Sequence, residues 1–219
     1  MNFSNSENFT QNFEIVPLFS KPVYLKDLNL DVKKIVSIAE KEIYEKCLGD
    51  KHPDDNASQS KNLYVLEHKK LKWLKDAMMR EFNSYNSNVM HLSNKFEITT
   101  SWFTKMEKGQ ASNNHNHNNC MFSAVFYLQV DENTGDIHFQ TYDTRRYCLD
   151  IEEFNVFNSV DYKFTPINNT LLLFPAEMFH MVKENTSDMT RYSLAFNLTP
   201  VGLVGEKISD SHMYLKVAK

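Results

Sequence analysis

From about Leu92 onward the apolar residues of this chain come only as short runs separated by polar turns, with no helical pattern between them. The runs cover residues 96–106, 120–130, 137–142, 162–164, 170–174, 179–182 and 191–198. Runs of strand length at this spacing can bury their apolar sides only against one another, which predicts an antiparallel sandwich or barrel. Ahead of Leu92 the period is helical. Val32, Ile35, Val36, Ala39 and Ile43 recur at three- and four-residue steps within residues 31–47, with Asp31 placed to cap the start. Leu71, Leu74, Met78, Phe82, Tyr85 and Val89 form one stripe of a second, longer helix, with His68 near its beginning. Residues 14–19 read as a short strand in which Pro17 favours a sheet edge. Residues 49–62 form a polar loop holding His52, and residues 1–12 a loose Asn/Ser-rich arm. The expected class is therefore α+β, mainly β with N-terminal helices that buttress the sheet. In domain terms this means an arm over 1–12 and one domain over 13–219, with helical support to 92, a β core over 93–200 and a tail over 201–219.

Composition removes several other classes. With 219 residues, 42% of them hydrophobic and 13% aromatic, but only 5 Gly and 3 Cys, the chain is not collagen-like, disulfide-scaffolded or wholly disordered. The most apolar stretch, Leu171 to Phe174, is far too short to span a bilayer. A formal net charge of −4 and the lack of a basic, aromatic-interleaved stripe argue against nucleic acid as a partner. Residues 1–10 show neither a basic nor an apolar signal region, and Cys47, Cys120 and Cys148 have no paired spacing. Reduced thiols and a cytoplasmic location are the expectation. The Asn-x-Ser/Thr triplets at Asn56, Asn168, Asn185 and Asn197 then follow from the high Asn content alone.

The densest polar stretch, residues 111–120, contains His115 and His117 directly before an apolar run that begins at Met121. If residues 115–117 enter that strand, both imidazoles point to one face. Two neutral imidazoles on one face are half of a divalent transition-metal site, although an Asn/His-rich loop without a metal has the same composition. His180 stands in an apolar β setting shortly after Phe174-Pro175, where a packed core histidine and a third ligand are both open readings. Arg191 and Ser193 share one strand face, while Tyr192, Leu194 and Phe196 share the other. An Arg among apolar neighbours is costly to bury unless it pairs with an anion, either a ligand or a distant carboxylate. Asp136 is an alternative carboxylate ligand, and His138, alternating with Phe139, is core or pocket wall. Arg145-Arg146 and the 49–62 loop could flank an entrance, although exposed charge is the simpler account.

Taken in order, Ser101-Trp102, His115-Asn-His117, Ser123-Ala-Val-Phe-Tyr127-Leu, Phe174-Pro175, His180 and Arg191-Tyr-Ser193 resemble the Fe(II)/2-oxoglutarate-dependent oxygenases. The resemblance is closest to a bacterial and phage branch with a His-x-His…His…Arg-x-Ser pattern, and it runs from about residue 14 to residue 200. It implies a double-stranded β-helix, the jelly-roll core shared with cupins. It implies Fe(II) on His115, His117 and His180, with open positions for 2-oxoglutarate and O2. Arg191, with Ser193 and Tyr127, would grip the far carboxylate of 2-oxoglutarate, a task suited to the parallel donors of a guanidinium fork. Trp102 could line the pocket, with core packing its simpler role. No further catalytic residue is implied.

His117 stands where most of the superfamily has Asp or Glu. Three neutral ligands leave the metal dication uncompensated, which favours the 2-oxoglutarate dianion and admits zinc, nickel or cobalt beside iron. The implied activity is a hydroxylase that couples oxidative decarboxylation of 2-oxoglutarate to succinate and CO2 with hydroxylation of a small-molecule or peptide substrate. The prolyl-hydroxylase-like spacing at Phe126-Tyr-Leu128 hints at a peptide or amino-acid substrate, although the same strand serves other members. Two other readings use the same residues. One is a three-His cupin-type dioxygenase without 2-oxoglutarate, in which Arg191 meets the substrate's own carboxylate. The other is a non-enzymatic jelly-roll binding module in which the His-rich loop is accidental. Oligomeric state has no signature in the sequence.

Overall fold

A computed structural model describes residues 17–47, 56–141, 149–208 and 210–217. Its two longest strands, β4 (Lys95–Met106) and β11 (Arg191–Val204), run antiparallel side by side from Arg191 opposite Met106 to Val201 opposite Lys95. They centre a larger sheet that also holds β1 (Tyr24–Asp27), β2 (Tyr44–Lys46), β3 (Ser58–Ser60), β6 (Phe122–Gln129) and β9 (Thr170–Pro175). Its order is β1-β9-β6-β11-β4-β3-β2, with β12 (Met213–Leu215) added at the far end of β11. The smaller sheet holds β5 (Ser112–His115), β7 (Ile137–Gln140), β8 (Asp161–Phe164) and β10 (Phe179–Val182) in the order β5-β10-β7-β8. From β4 to β7, and again from β8 to β11, successive strands alternate between the two sheets. That winding is the double-stranded β-helix that the family resemblance implies, in a mainly β chain with helices near its start, as the sequence pattern predicts.

The two-residue period of the strands sorts their side chains into two cores. Ala124, Phe126 and Leu128 of β6, Leu171 and Leu173 of β9, and Leu194, Phe196 and Leu198 of β11 pack on one side with helix α1 (Val32–Ala39) and helix α2 (Lys72–Tyr85). Tyr127, Leu172 and Phe174 point the other way and meet Ile137 and Phe139 of the smaller sheet. All six residues of β9 are buried, so the strand reads as a continuous apolar run, as a strand covered on both faces should. The helices thus lie against the outer face of the larger sheet, and the space between the sheets is left for a site.

Several expectations are corrected. The helix predicted over 31–47 ends at Ala39. Tyr44–Lys46 joins the sheet edge instead, with the Tyr44 ring 6.4 Å from that of Tyr192 and its hydroxyl donating to the Ala39 carbonyl at 2.8 Å. Ile43 is left 68% exposed. Sheet pairing overrides a helical period here. Asp31 precedes α1 but makes no side-chain cap; its carboxylate lies 3.1 Å from Lys34 instead. The second helix gives way to a π turn over Asn86–Met90, which rotates Val89 off the buried stripe and into solvent. Pro17 to Phe19 lie at a turn rather than a strand, and residues 14–16 lie outside the described residues. So do the arm over 1–12, His52, Arg145, Arg146 and Cys148. Ser58–Ser60, within the expected loop, is a strand, and β11 and β12 reach into the expected tail. Among the described residues, no helix is long and apolar enough to cross a membrane.

Candidate metal centre

His115 closes β5 and stands directly opposite His180 of β10 in the ladder, with ring centroids 4.4 Å apart. His117 reaches the same place by another route. It does not share a strand with His115 but lies just past the end of β5, in a segment held by its own N–H donating to the Ala176 carbonyl at 3.0 Å. Its ring is 5.1 Å from both other imidazoles. The possible ligand atoms of the three side chains all lie within 4.8 Å of one another. The expected sharing of a face by strand alternation is therefore wrong for His115 and His117. A strand end, the loop after it and a cross-strand neighbour make the cluster. Such convergence from separate segments is not what an accidental His-rich tract produces.

The hydrogen bonds fix which nitrogens are free. His115 Nδ1 lies 2.7 Å from the Asn113 carbonyl and His180 Nδ1 lies 3.0 Å from that of Met178. A carbonyl only accepts, so Nδ1 carries the proton in each and Nε2 keeps the lone pair a metal needs. Burial pushes the His180 imidazole well below its usual range, with neighbouring His115 adding to the effect. Burial, then His115, lowers His117 to about 4. Both rings are thus neutral at pH 7, the protonation state of a ligand. Phe174 and Phe139 flank His180 at 5.0 and 5.9 Å between centroids. Trp102 is half-buried 5.9 Å from the His117 ring, beside the cluster and outside both apolar cores. Asp136 takes no part, since its carboxylate is 2.8 Å from Lys163 Nζ and no carboxylate joins the cluster among the described residues. His138 is held away from the cluster by Asp161, its Nδ1 at 2.7 Å from the carboxylate. Three imidazoles without a carboxylate suit a divalent transition metal such as Fe(II).

On the barrel's inner face β11 presents three rungs, each completed by β4 and β6. Ser193 lies opposite Thr104 and Tyr127, Ala195 opposite Trp102 and Val125, and Asn197 opposite Thr100 and Ser123. Arg191 continues this face at the Ser193 end. It is only 2% exposed, and no salt bridge to it occurs among the described residues. Its Nη1 donates to the carbonyls of Thr134 at 2.9 Å and Gly135 at 2.5 Å, while Nε has no partner. The guanidinium lies 5.3 Å from the centre of the Tyr127 ring. Tyr127 is buried too, and its hydroxyl has no hydrogen bond of acceptable geometry, although its charge state and that of Arg191 influence each other. Burial lowers the Arg191 pKa and raises that of Tyr127, in each case disfavouring the charged form. A buried cation that Asp136 influences only from beyond ion-pair distance, beside two unused donors, fits one carboxylate of a dianionic ligand such as 2-oxoglutarate. At the opposite rung, Ser123 Oγ donates to Asn197 Oδ1 at 2.8 Å and Asn197 Nδ2 to Thr100 Oγ1 at 3.1 Å. This polar rung was not among the sequence candidates. Two-residue alternation from Arg191 would have found Asn197.

The neutral imidazoles carry a pH dependence. The His117 pKa falls from 6.5 to about 4 on folding, so between those values the unfolded chain binds the proton that the fold rejects. The contribution is fully present above about 6.5 and is lost as pH falls toward 4, on the order of 2–3 kcal/mol from this residue in the metal-free protein. Melting curves of metal-free protein between those limits should show the decline, and His117→Gln should flatten it. Equal slopes in the two proteins would assign the effect elsewhere.

Residues 100–197 match the family model described as "Putative 2OG-Fe(II) oxygenase". No curated protein is significantly similar to the chain in sequence. Solved structures share its fold. A Pseudomonas putida prolyl-4-hydroxylase superposes with a TM-score of 0.60 at 14% identity, over 82% of this chain and 94% of its own. The non-haem α-ketoglutarate-dependent carbocyclase SnoK from nogalamycin biosynthesis gives 0.62 at 14% identity, over 91% and 84%. HygX from Streptomyces hygroscopicus, solved with nickel and 2-oxoglutarate bound, gives 0.57 at 10% identity, over 82% and 83%. At such identities these likenesses concern the fold. The family match, by contrast, spans the segments that carry all three clustered histidines and the buried arginine, and over this β core the chain is similar to the 2OG-Fe(II) oxygenases.

Proposed function

We propose that His115, His117 and His180 hold Fe(II), and that Arg191, with Tyr127 and Ser193, holds the distal carboxylate of 2-oxoglutarate. In this reading the protein is a cytoplasmic hydroxylase of a small-molecule or peptide substrate. The observation that carries it is the buried Arg191, without a direct ion pair among the described residues, on the same barrel interior as the three-histidine cluster. Fe(II) with 2-oxoglutarate supplies the oxidising chemistry, consuming O2 and releasing succinate and CO2 as the prime substrate is hydroxylated.

The chain's own residues bind, orient and exclude water. Arg191 Nε and the Tyr127 hydroxyl, both without partners, donate to the distal carboxylate. Ser193, opposite Tyr127, supports the same end. The neutral histidines bring no negative charge, so the dianion itself balances the metal, which couples the affinities of the two. Phe139 and Phe174 wall the His180 side with apolar surface and keep water from it. Trp102 and the Thr100–Asn197–Ser123 rung lie on the side away from Arg191, where a prime substrate would approach.

The test is succinate formation from 2-oxoglutarate with Fe(II), ascorbate and O2, together with direct titration of 2-oxoglutarate. Arg191→Ala should weaken 2-oxoglutarate binding by about a hundredfold, the scale of a lost charge-assisted pair. Unchanged binding in that variant, or no binding by the unaltered protein, would favour the cupin-type reading without 2-oxoglutarate.

A further inference from the structure

Arg191 needs something other than an anion to hold it in place before a ligand arrives. Its Nη1 is shared by two successive carbonyls, those of Thr134 and Gly135, in the turn between β6 and β7. Two consecutive carbonyls can face one nitrogen only if the backbone between them is sharply turned. Gly135 has φ +91°, which residues with a side chain rarely adopt. Space forbids a side chain as well. A Cβ at Gly135 would sit 2.1 Å from the Lys183 carbonyl oxygen and 3.3 Å from that of Glu184. Both atoms are backbone, just past β10, the strand that carries His180.

The turn is stapled from within and from the side. Thr134, fully buried, donates from Oγ1 to the Asp131 carbonyl at 2.7 Å and accepts from the Asp131 N–H at 3.2 Å. The Asp131 carboxylate accepts from Ser187 Oγ at 2.6 Å, and Thr186 N–H donates to the Asn133 carbonyl at 2.9 Å. Segment 183–187 therefore locks the turn, and the turn's carbonyls lock one arm of Arg191 while leaving Nε unpartnered.

We infer that the Thr134–Gly135 turn is a positioning device for the cosubstrate, a carbonyl clamp that orients Arg191 toward the distal carboxylate of 2-oxoglutarate. The inference rests on the assignment of Arg191 made above. The clamp offers only carbonyl acceptors, so it holds the guanidinium without neutralising it and leaves its charge for the ligand. A carboxylate in the same place would have satisfied the arginine and competed with 2-oxoglutarate.

The full-length chain loaded with Ni(II) allows binding to be read without turnover, by calorimetric titration of 2-oxoglutarate and, separately, of oxalate. Oxalate chelates a metal through two oxygens but has no distal carboxylate. Gly135→Ala, and Thr134→Val as the milder change, should weaken 2-oxoglutarate roughly tenfold or more, as expected for misaligning one charge-assisted contact. Oxalate and Ni(II) affinities should stay as in the unaltered protein. If Gly135→Ala does not fold, Thr134→Val decides alone. Unchanged 2-oxoglutarate affinity, or equal weakening of 2-oxoglutarate and oxalate, overturns the clamp. Arg191→Ala in the same titration separates the two levels. If it keeps full 2-oxoglutarate affinity, the arginine assignment fails and the clamp with it. If it loses affinity while the turn variants keep theirs, the clamp alone fails.

Discussion

His180→Ala should leave the protein folded but unable to retain a metal ion through dialysis. The side chain is 6% exposed and stands opposite His115 in the ladder, so it is the most deeply placed of the three imidazoles. Its Nδ1–H bond to the Met178 carbonyl fixes the ring and leaves Nε2 free. Removing it takes away one of three ligands and leaves a small void between Phe174 and Phe139 that no neighbour supplies with a donor atom. Loss of an outer-shell partner alone costs roughly 10–100-fold in metal affinity, so loss of the ligand should exceed about a hundredfold. Elemental analysis of the dialysed protein reads this directly, and circular dichroism checks that the fold survives. His138→Ala is the matched control. That residue sits on a neighbouring strand but is paired to Asp161, and its loss should leave the metal in place. Full retention of metal by His180→Ala would remove the three-histidine assignment.

How far the sequence reveals this site depends on which residue is considered. Arg191 lies on a strand whose apolar alternation is plain, so its strand and face were legible, and His180 lies in an apolar run that reads as a strand. His117 was not legible, because its position depends on where β5 stops. Ser112–His115 has no apolar residue, and nothing local marks it as a strand; it is one because it pairs with β10, which lies far along the chain. The same reason hides Ser58–Ser60, which is a strand through its pairing with β2 and β4. At Ile43 the helical period continues in the sequence while the chain has already turned to place Tyr44 at the sheet edge. The partners of Arg191 are the least visible of all, being main-chain carbonyls that any residue carries; only Gly135, with its forbidden Cβ, leaves a trace.

The helical support has the larger effect on stability. Phe82 of α2 is fully buried, with its ring 5.0 Å from Phe96 and 5.3 Å from Phe122. Phe122 in turn meets Tyr85 edge-on at 5.8 Å and Phe96 at 5.6 Å, so one aromatic cluster ties α2 to β4 and β6. Phe82→Ala removes a full ring from this cluster and should cost about 3–5 kcal/mol, counting both lost transfer energy and the cavity left behind. Against a total stability of roughly 5–15 kcal/mol, that is about a fifth or more of what holds a domain folded. Trp73, in the first turn of the same helix but 43% exposed, should cost less than about 1 kcal/mol on the same substitution. Urea unfolding of the two variants measures the contrast. Metal affinity of the folded Phe82→Ala protein should remain that of the unaltered chain, because α2 lies on the outer face of the larger sheet and the histidines on the inner side. A cost below about 1 kcal/mol for Phe82→Ala would mean that α2 is not a packed part of the core. A parallel loss of metal affinity would mean that the larger sheet passes strain from one face to the other, and then the helices would help to shape the site as well as support it.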